Sequence, residues 1–230
     1  MEISKLSKLI TPSGTMAISN KARILREQGK PVIGFGAGEP DFPTPEYVVK
    51  DVQVAAEDTS NHKYSPVAGL TILKEEIVRT SKLYSEINVQ QENILVSNGG
   101  KHAILTTFMS ILNPGDEVLI PSPYWTTYPE AVKISGGNPI IVDTEFDDDF
   151  KVNTDQLDAL KTSKTKILVW VSPSNPTGVV YTKEEAEQIY NWAFENNVWI
   201  LSDELYEHLV YEGMTSPSPA QYDTELNNTI

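Results

Sequence analysis

The sequence contains no cysteine among its 230 residues. Disulfide bridges, thiolate metal sites and a cysteine nucleophile are therefore excluded. No apolar run approaches the ~18 residues of a membrane-spanning helix, and charged residues interrupt the N-terminal stretch in which a secretory signal needs a continuous apolar core. These absences predict a cytoplasmic protein with no membrane partner.

Basic residues are scarce as well. There are 18 lysines and arginines against 32 aspartates and glutamates, and the formal net charge is −14. That charge argues against a nucleic-acid partner, because a phosphate backbone requires a basic face. A small anion is not excluded, since backbone N–H groups and one lysine can bind it. The last lysine is Lys183 and the last arginine is Arg79.

The remaining composition, with 40% hydrophobic and 22% charged residues, is that of an ordinary globular protein. From about Val89 onward, short β-rich runs alternate with helical patterns, and this alternation predicts an α/β fold with a mostly parallel sheet flanked by helices. The near-continuous Val, Ile and Leu content predicts strands buried on both faces. The expected strands are 94–96, 117–120, 138–142, 167–171 and 198–201, and the expected helices are 101–112, 128–135, 154–161 and 182–196.

The two ends of the chain have a different character. Residues 15–28 could form one amphipathic helix and 34–41 a glycine-rich loop, so we interpret 1–45 as an N-terminal arm with part of a smaller domain. Residues 46–230 are then the large domain, incomplete at its C-terminal end. The segment 215–230 is rich in Ser, Pro, Asn and Asp and is expected to contain no complete element, which would leave the sheet with an unpaired apolar edge.

Polar residues follow two of the predicted strands. Asn175 lies in the segment after 167–171, and Asp203 and Tyr206 follow 198–201. Ligands of open α/β sheets bind at the carboxyl ends of the strands. Asp203 could pair with a protonated pyridine nitrogen, and Asn175 and Tyr206 could hydrogen-bond a phenolate oxygen on the same ring. Taken singly, Asp203 could equally cap a turn, and an Asn before Pro176 is most often a turn residue.

Two loops between a strand and a helix add further candidates. Gly99 and Gly100 would let the backbone approach an anion at a helix N-terminus, with Lys101 adding charge. A simple helix-capping turn is the alternative. Trp125 could stack on a planar ring, whereas core packing is the more common use of an isolated tryptophan.

Other motifs carry no site. Gly34, Gly36 and Gly38 do not have dinucleotide-binding spacing, because position 39 is Glu. The run 147–149 lacks calcium-loop spacing, and the three histidines form no metal-ligand or catalytic set. No metal site is predicted.

Seven short motifs follow one another along the chain. Each is weak evidence alone, but their order is characteristic of one protein family. In this order they resemble the class I aminotransferases of fold type I, which use pyridoxal 5′-phosphate, and in particular the bacterial aspartate aminotransferase branch. The resemblance covers essentially the whole chain, as the N-terminal part of such an enzyme. The motifs are GAGEPDF (36–42), KYSPVAG (63–69), NGGK (98–101), PGDEV (114–118), PSPYW (121–125), SNPTG (174–178) and SDELY (202–206).

The resemblance implies a role for each matching residue. Gly99, Gly100 and Lys101 match the turn that holds the cofactor phosphate, and Trp125 matches the aromatic residue stacked on its ring. Asn175 and Tyr206 match the pair on the phenolate oxygen, and Asp203 matches the partner of the pyridine nitrogen. Gly38 matches a glycine whose backbone meets the substrate carboxylate, where Trp125 and Asn175 also contribute. Tyr64 matches a tyrosine that reaches the phosphate in a neighbouring subunit, which implies a homodimer.

The expected reaction is transfer of an amino group from an amino acid, aspartate first, to a 2-oxo acid. The family has a Schiff-base lysine and a carboxylate-binding arginine downstream of the segment matched by 202–206, and neither occurs in this chain. The chain alone is therefore expected to be inactive, since proton abstraction would lack its base. The alternatives are a non-catalytic remnant that binds the cofactor or dimerises, or another enzyme of the same fold, such as a β-lyase or a decarboxylating synthase.

Overall fold

The structure, a computed structural model, describes residues 2–11, 14–36 and 38–230. Its helices and strands are, in chain order, α1 (Gly14–Glu27), α2 (Glu46–Glu57), α3 (Thr71–Tyr84), α4 (Gly100–Ile111), β1 (Glu117–Pro121), α5 (Thr127–Ile134), β2 (Asn138–Val142), α6 (Thr154–Leu160), β3 (Thr165–Val171), α7 (Lys183–Glu195) and β4 (Trp199–Asp203). Short 3-10 helices lie at Leu6–Lys8, Thr59–Asn61, Gln91–Asn93, Phe146–Asp148 and Pro219–Gln221.

The four strands form one parallel sheet in the order β2-β1-β3-β4. The strand ends that concern the site lie side by side, because the register pairs Val171 of β3 with Asp203 of β4. Parallel neighbours require a crossover between them, and helices supply it here. The predicted α/β architecture, a mostly parallel sheet flanked by helices, is confirmed.

Both faces of the sheet are buried, because successive side chains of a strand point to opposite sides. On one face, Leu168, Trp170 and Ile200 pack with α6 and α7; on the other, Ile167 and Val169 pack with α4 and α5. This is why the strands have continuous apolar sequences instead of alternating ones.

Local capping explains where the helices that support the sheet begin. Thr182 accepts a hydrogen bond from the Glu185 N–H at 3.2 Å, while Glu185 accepts one from the Thr182 N–H at 2.6 Å. Asn153 and Gln156 make the same reciprocal pair before α6. Each pair satisfies two backbone donors that the helix itself leaves without a partner.

The expected strand 94–96 is wrong. The segment follows the 3-10 helix Gln91–Asn93 and begins extended, with Ile94 at φ −107° and ψ 127°, but it is not part of the four-stranded sheet. A strand is defined by its ladder of backbone hydrogen bonds, and the hydrophobic pattern that predicted this one carries no information about a partner.

The C-terminal segment is more ordered than predicted. Ile200 donates to the Asn228 carbonyl at 2.7 Å, and Ile230 donates to the Ile200 carbonyl at 2.9 Å, so the last residues pair in parallel with β4. Buried Asp223 accepts hydrogen bonds from the backbone N–H groups of 227, 228 and 229, at 2.7–3.0 Å. The expected unpaired edge of β4 is therefore partly covered.

The contacts divide the chain into two compact units, which are described separately here. One unit is Thr11–Leu70, and the other combines the N-terminal residues up to Ile10 with Thr71–Ile230. Within the described ranges, no helix is long and apolar enough to cross a bilayer, and no group of acidic or histidine side chains could hold a metal ion.

Candidate active site

Asp203 is the last residue of β4 and presents its carboxylate at the carboxyl edge of the sheet. Each carboxylate oxygen accepts one hydrogen bond: Oδ2 from the Tyr128 hydroxyl at 2.7 Å, and Oδ1 from the Leu205 N–H at 3.2 Å. The first bond joins residues 75 positions apart in sequence. A donor on each oxygen restrains rotation of the carboxylate plane, and the group is only partly buried, so it can still meet a ligand.

Tyr128 lies in the first turn of α5, with its side chain only 1% exposed. Burial, together with the nearby Asp203 charge and the hydrogen bond to it, raises the pKa of Tyr128. The hydroxyl is therefore protonated at neutral pH and acts as a donor to Asp203. The second oxygen of the same carboxylate faces the turn after β4, and the two contacts together tie α5 to that turn.

Trp125 and Lys101 extend this arrangement toward α4. The rings of Trp125 and Tyr128 meet edge to face, with centroids 5.7 Å apart and an angle of 88° between planes. Lys101 Nζ lies 5.4 Å from the centroid of the Trp125 ring. A cation within ~6 Å of an indole face is attracted by the ring quadrupole. A continuous series of contacts thus runs from Lys101 through Trp125 and Tyr128 to Asp203.

The two glycines before Lys101 form the N-terminus of α4. Gly99 is the N-cap residue, with φ at +82°, a conformation that favours glycine because other residues place a Cβ against the backbone. A Cβ built at Gly99 or Gly100 meets no described atom within 4 Å, so the space beside the turn is open. The first amides of an α-helix have no partner within the helix, and its dipole favours an anion at this end.

His102, which the sequence left without a role, stabilises this turn: its Nδ1 accepts a hydrogen bond from the Asn98 N–H at 3.1 Å. Ser97 donates to the Gly99 carbonyl at 3.2 Å. Both contacts restrain the backbone of the turn. The capping interpretation of this segment and the anion-binding one are compatible, since the same backbone serves both.

Asn175 and Tyr206 line one cavity of about 400 Å³. A tight turn presents Asn175, since Gly178 donates to the Ser174 carbonyl at 2.8 Å and Ser174 donates to the Val179 carbonyl at 3.0 Å. Asn175 also lines a smaller cavity of about 20 Å³ with Tyr124 and Tyr128. The Asn175 side of the cavity therefore adjoins the group that holds Asp203.

Gly38 and Tyr64 belong to the other unit, Thr11–Leu70. Gly38 has open space where a Cβ would lie, and the Tyr64 side chain is fully exposed. The structure brings together the candidates that follow β1, β3 and β4 and those at the start of α4, and it leaves Gly38 and Tyr64 as predictions made from the sequence.

Tyr128 is the site residue that the sequence reasoning missed. In this region the sequence pointed only to Trp125, as a ring that could stack on a planar ligand. A weak signal was present, because Trp125 and Tyr128 are only three residues apart, on either side of the start of a predicted helix. What no local pattern could supply was the partner, a carboxylate on a different strand.

The arrangement offers a specific set of contacts. It has a carboxylate at the end of β4, an amide and a phenol that line one cavity, an indole ring, and a helix N-terminus followed by a lysine.

The family model described as aminotransferase class I and II matches residues 30–229. The chain therefore belongs to the class I and II aminotransferase family, as the motif series predicted.

Individual relatives are similar over most of this chain. An aspartate aminotransferase of Streptomyces avermitilis is 50% identical over 202 residues, covering 88% of this chain and 50% of that protein. A probable aspartate/prephenate aminotransferase of Aquifex aeolicus is 41% identical over 225 residues, covering 98% and 57%. The solved aspartate aminotransferase of Thermus thermophilus with maleate superposes with a TM-score of 0.93 at 38% identity, covering 100% of this chain and 59% of that one. The chain spans about half the length of the curated relatives it matches.

Proposed function

We propose that the protein is a pyridoxal 5′-phosphate-dependent aminotransferase that moves an amino group from an amino acid to a 2-oxo acid. The observation that carries the proposal is the placement of Asp203, Trp125 and the Gly99–Lys101 turn on one continuous set of contacts. These are the groups that a phosphorylated pyridine requires. The family match and the relatives named aspartate aminotransferase support the same reaction.

The described residues fit this cofactor by their chemistry. The N-terminus of α4 and Lys101 would hold the phosphate, since the open backbone at Gly99 and Gly100 leaves room for an anion. Trp125 would cover one face of the ring. Asn175 and Tyr206, which line the same cavity, would donate hydrogen bonds to the phenolate oxygen.

Asp203 has the central chemical task. Pyridoxal phosphate, when bound, supplies an electron sink for the electron pair left at the substrate Cα. The Asp203 carboxylate would hold a proton on the pyridine nitrogen, which makes the ring a stronger sink. The hydrogen bonds from Tyr128 and Leu205 would keep the carboxylate aimed while it does so.

Transamination also requires a base for the Cα proton and a cation for the substrate carboxylate. No lysine follows Lys183 and no arginine follows Arg79 in these 230 residues. Lys101 is next to Trp125 at the phosphate turn, and Lys183 is the first residue of α7. We infer that the polypeptide that performs the reaction supplies both groups from outside this segment, and that the segment alone binds the cofactor reversibly.

Aspartate is the donor we propose first, because several relatives carry that name. The Aquifex relative is named for aspartate and prephenate, so a prephenate-type acceptor belongs in the same test. Gly38, Trp125 and Asn175 would contact the substrate. We further propose a homodimer in which Tyr64 reaches the phosphate of the neighbouring subunit; its full exposure supports such a reach. A division into 1–45 and 46–230 remains part of this proposal.

The test is product analysis with the complete polypeptide. Purified protein and pyridoxal phosphate are incubated with 2-oxoglutarate as acceptor and aspartate, alanine or phenylalanine as donor, one at a time. A separate reaction uses prephenate as the acceptor and glutamate as the donor. We expect oxaloacetate from aspartate and a loss of at least 100-fold in kcat for Asp203→Asn, since the variant loses the charge that holds the ring proton. Asp155→Asn, an exposed carboxylate in α6, is the matched control and should leave kcat unchanged.

Release of ammonia and pyruvate in place of a 2-oxo acid paired with an amino acid would replace transamination with β-elimination. Borohydride reduction provides a second check on the segment itself. In the 230-residue chain it should trap no cofactor, and a stable adduct at Lys101 or Lys183 would contradict the roles given to these residues.

A further inference from the structure

Tyr128 lies between two groups of the candidate site and contacts both. Its hydroxyl donates to Asp203 Oδ2 at 2.7 Å, and its ring meets Trp125 edge to face at 5.7 Å. Neither contact is a by-product of general packing, because a buried hydroxyl needs a polar partner and this one selects a carboxylate across 75 residues of chain. One side chain thus restrains both the carboxylate at the ring edge and the indole at the ring face.

We propose that Tyr128 is a positioning residue that orients Asp203 through its hydroxyl and Trp125 through its ring, so that the two can engage a pyridine ring together. The proposal rests on the proposed function, because it assigns Tyr128 a task in binding the same cofactor.

The hydroxyl contact carries most of the argument. Asp203 Oδ1 is held by a backbone N–H at 3.2 Å, which is long for a hydrogen bond to a carboxylate, whereas the Tyr128 bond at 2.7 Å has the short length of a charge-assisted pair. Tyr128 also has little freedom to move, since it is almost fully buried in the core that α5 shares with β1 and β3. Because the buried tyrosine has little freedom to move, its hydroxyl sets the direction of the Asp203 carboxylate.

The contact between the Tyr128 and Trp125 rings is the second way in which Tyr128 orients the site. An edge-to-face pair of aromatic rings is attractive beyond the area it buries and has a defined geometry. Trp125 precedes α5, and Tyr128 lies in the first turn of that helix. The short backbone segment between them fixes the position of one ring relative to the other. Replacing the tyrosine by phenylalanine removes the first contact and keeps the second, and leucine removes both.

The experiment measures equilibrium binding of pyridoxamine 5′-phosphate, which has the ring and phosphate but cannot form a Schiff base with any lysine. Its 1-deaza analogue, with carbon in place of the ring nitrogen, is the matched ligand. Affinities are compared by equilibrium dialysis for the complete wild-type polypeptide, Tyr128→Phe, Tyr128→Leu and Tyr181→Phe. Tyr181 is also buried, at 5% exposure against 1% for Tyr128, and its hydroxyl accepts a hydrogen bond from the Val152 N–H at 3.0 Å.

We expect wild type to prefer the natural ring to the 1-deaza ring, and Tyr128→Phe to weaken only the former, by about tenfold, the effect of one charge-assisted hydrogen bond. Tyr128→Leu should weaken both ligands, because Trp125 is then released as well. Tyr181→Phe should change neither, although it also removes a buried hydroxyl and lowers the melting temperature. In an Asp203→Asn background, Tyr128→Phe should add less than about twofold, since the two act through one contact.

The outcomes separate this inference from the proposed function. If wild type binds neither ligand, the cofactor assignment is wrong and the inference fails with it. If wild type prefers the natural ring and Tyr128→Phe retains that preference in full, the cofactor assignment stands and the role of Tyr128 is refuted. Equal weakening of both ligands by Tyr128→Phe would also refute it, because general structural damage would have that signature.

Discussion

The two compact units of this chain contrast in how their side chains are used. In Thr11–Leu70, none of the described residues is buried, and α1 and α2 expose their apolar residues to solvent. In the unit that contains the sheet, the strands are covered on both faces and large side chains such as Phe108 and Trp170 are almost fully buried. Amphipathic helices occur in both units, but all the buried clusters of the described residues lie in the second.

The contrast determines which candidate residues have fixed surroundings. Asp203, Tyr128 and Trp125 contact one another through groups anchored in the buried unit. Gly38 and Tyr64 lie in the unit with no buried residue among those described. A core restricts where a functional group can point, so packing fixes the geometry of Asp203, Tyr128 and Trp125. The surroundings of Gly38 and Tyr64 are not fixed in this way.

The sharpest test of this contrast compares two phenylalanines. Phe108 in α4 is fully buried against the sheet, whereas Phe35 is 93% exposed. Phe108→Ala should lower the free energy of unfolding by about 4 kcal/mol, because it removes buried area and leaves a cavity. Phe35→Ala should stay within about 0.5 kcal/mol of wild type. Urea denaturation followed by circular dichroism measures both, and a large effect at Phe35 would show that Thr11–Leu70 has a core in solution.

The second test asks whether the C-terminal segment belongs with the buried unit. Asp223→Ala leaves three backbone N–H groups without their acceptor, at a cost of about 3 kcal/mol. Glu225→Ala, an exposed neighbour, is the control. Hydrogen exchange should show lost protection at residues 227–230 in the first variant alone. Unchanged protection there would mean that pairing with β4 does not depend on Asp223.

A smaller effect is expected at the helix caps. Thr182→Ala removes half of the reciprocal cap of α7 and should cost about 1 kcal/mol, with no change in ligand binding. Thr224→Ala, an exposed threonine outside any helix, should be neutral. If thermal unfolding shows no difference between the two, α7 is held by its packing against the sheet and its cap contributes little.

The weakest effect is a pH dependence at Glu204. Burial raises the pKa of this carboxyl, hydrogen bonds from Ser202 and Ser218 oppose the rise, and the charges of Glu207 and Asp203 add to it. A raised pKa in the folded state means that the folded protein binds the proton more tightly than the unfolded chain. This contribution to stability is fully present below the ordinary pKa of 4.5 and is lost as the pH rises through the raised value.

Glu204→Gln should therefore remove that part of the pH dependence. Relative to the variant, the wild type should lose stability as the pH rises from 4 to 7, and melting temperatures over this range measure it. Glu195→Gln, an exposed carboxylate at the end of α7, is the control and should give a curve parallel to the wild type. A parallel curve for Glu204→Gln would place Glu204 in solvent.

Much of the fold could be predicted from the sequence, because its signals are local. The strands 117–120, 138–142, 167–171 and 198–201 and the capping box at Thr182 are within a few residues of what the structure has. Asn175, Asp203 and Tyr206 could be placed at strand ends, since an apolar run followed by polar groups indicates where a parallel sheet opens to a ligand.

These local signals could not predict which segments pair with one another in the sheet. The run 94–96 has the composition of a strand but is outside the sheet, and 215–230 has the composition of a loop but reaches the β4 edge through Asp223. Composition reports what a segment could bury or bond. It does not report which distant segment offers the complementary face or hydrogen-bonding groups.

The sequence by itself determined the family, the alternation of strands and helices, and the residue types available for a cofactor. Only the tertiary structure decided that the hydroxyl of Tyr128 meets the carboxylate of Asp203 and that the Trp125 ring lies between Tyr128 and Lys101. The physical reason is the distance along the chain over which each interaction acts. Propensity and capping act over a few residues of chain, whereas a hydrogen bond between α5 and β4 exists only after burial of the sheet has brought both elements to the same edge.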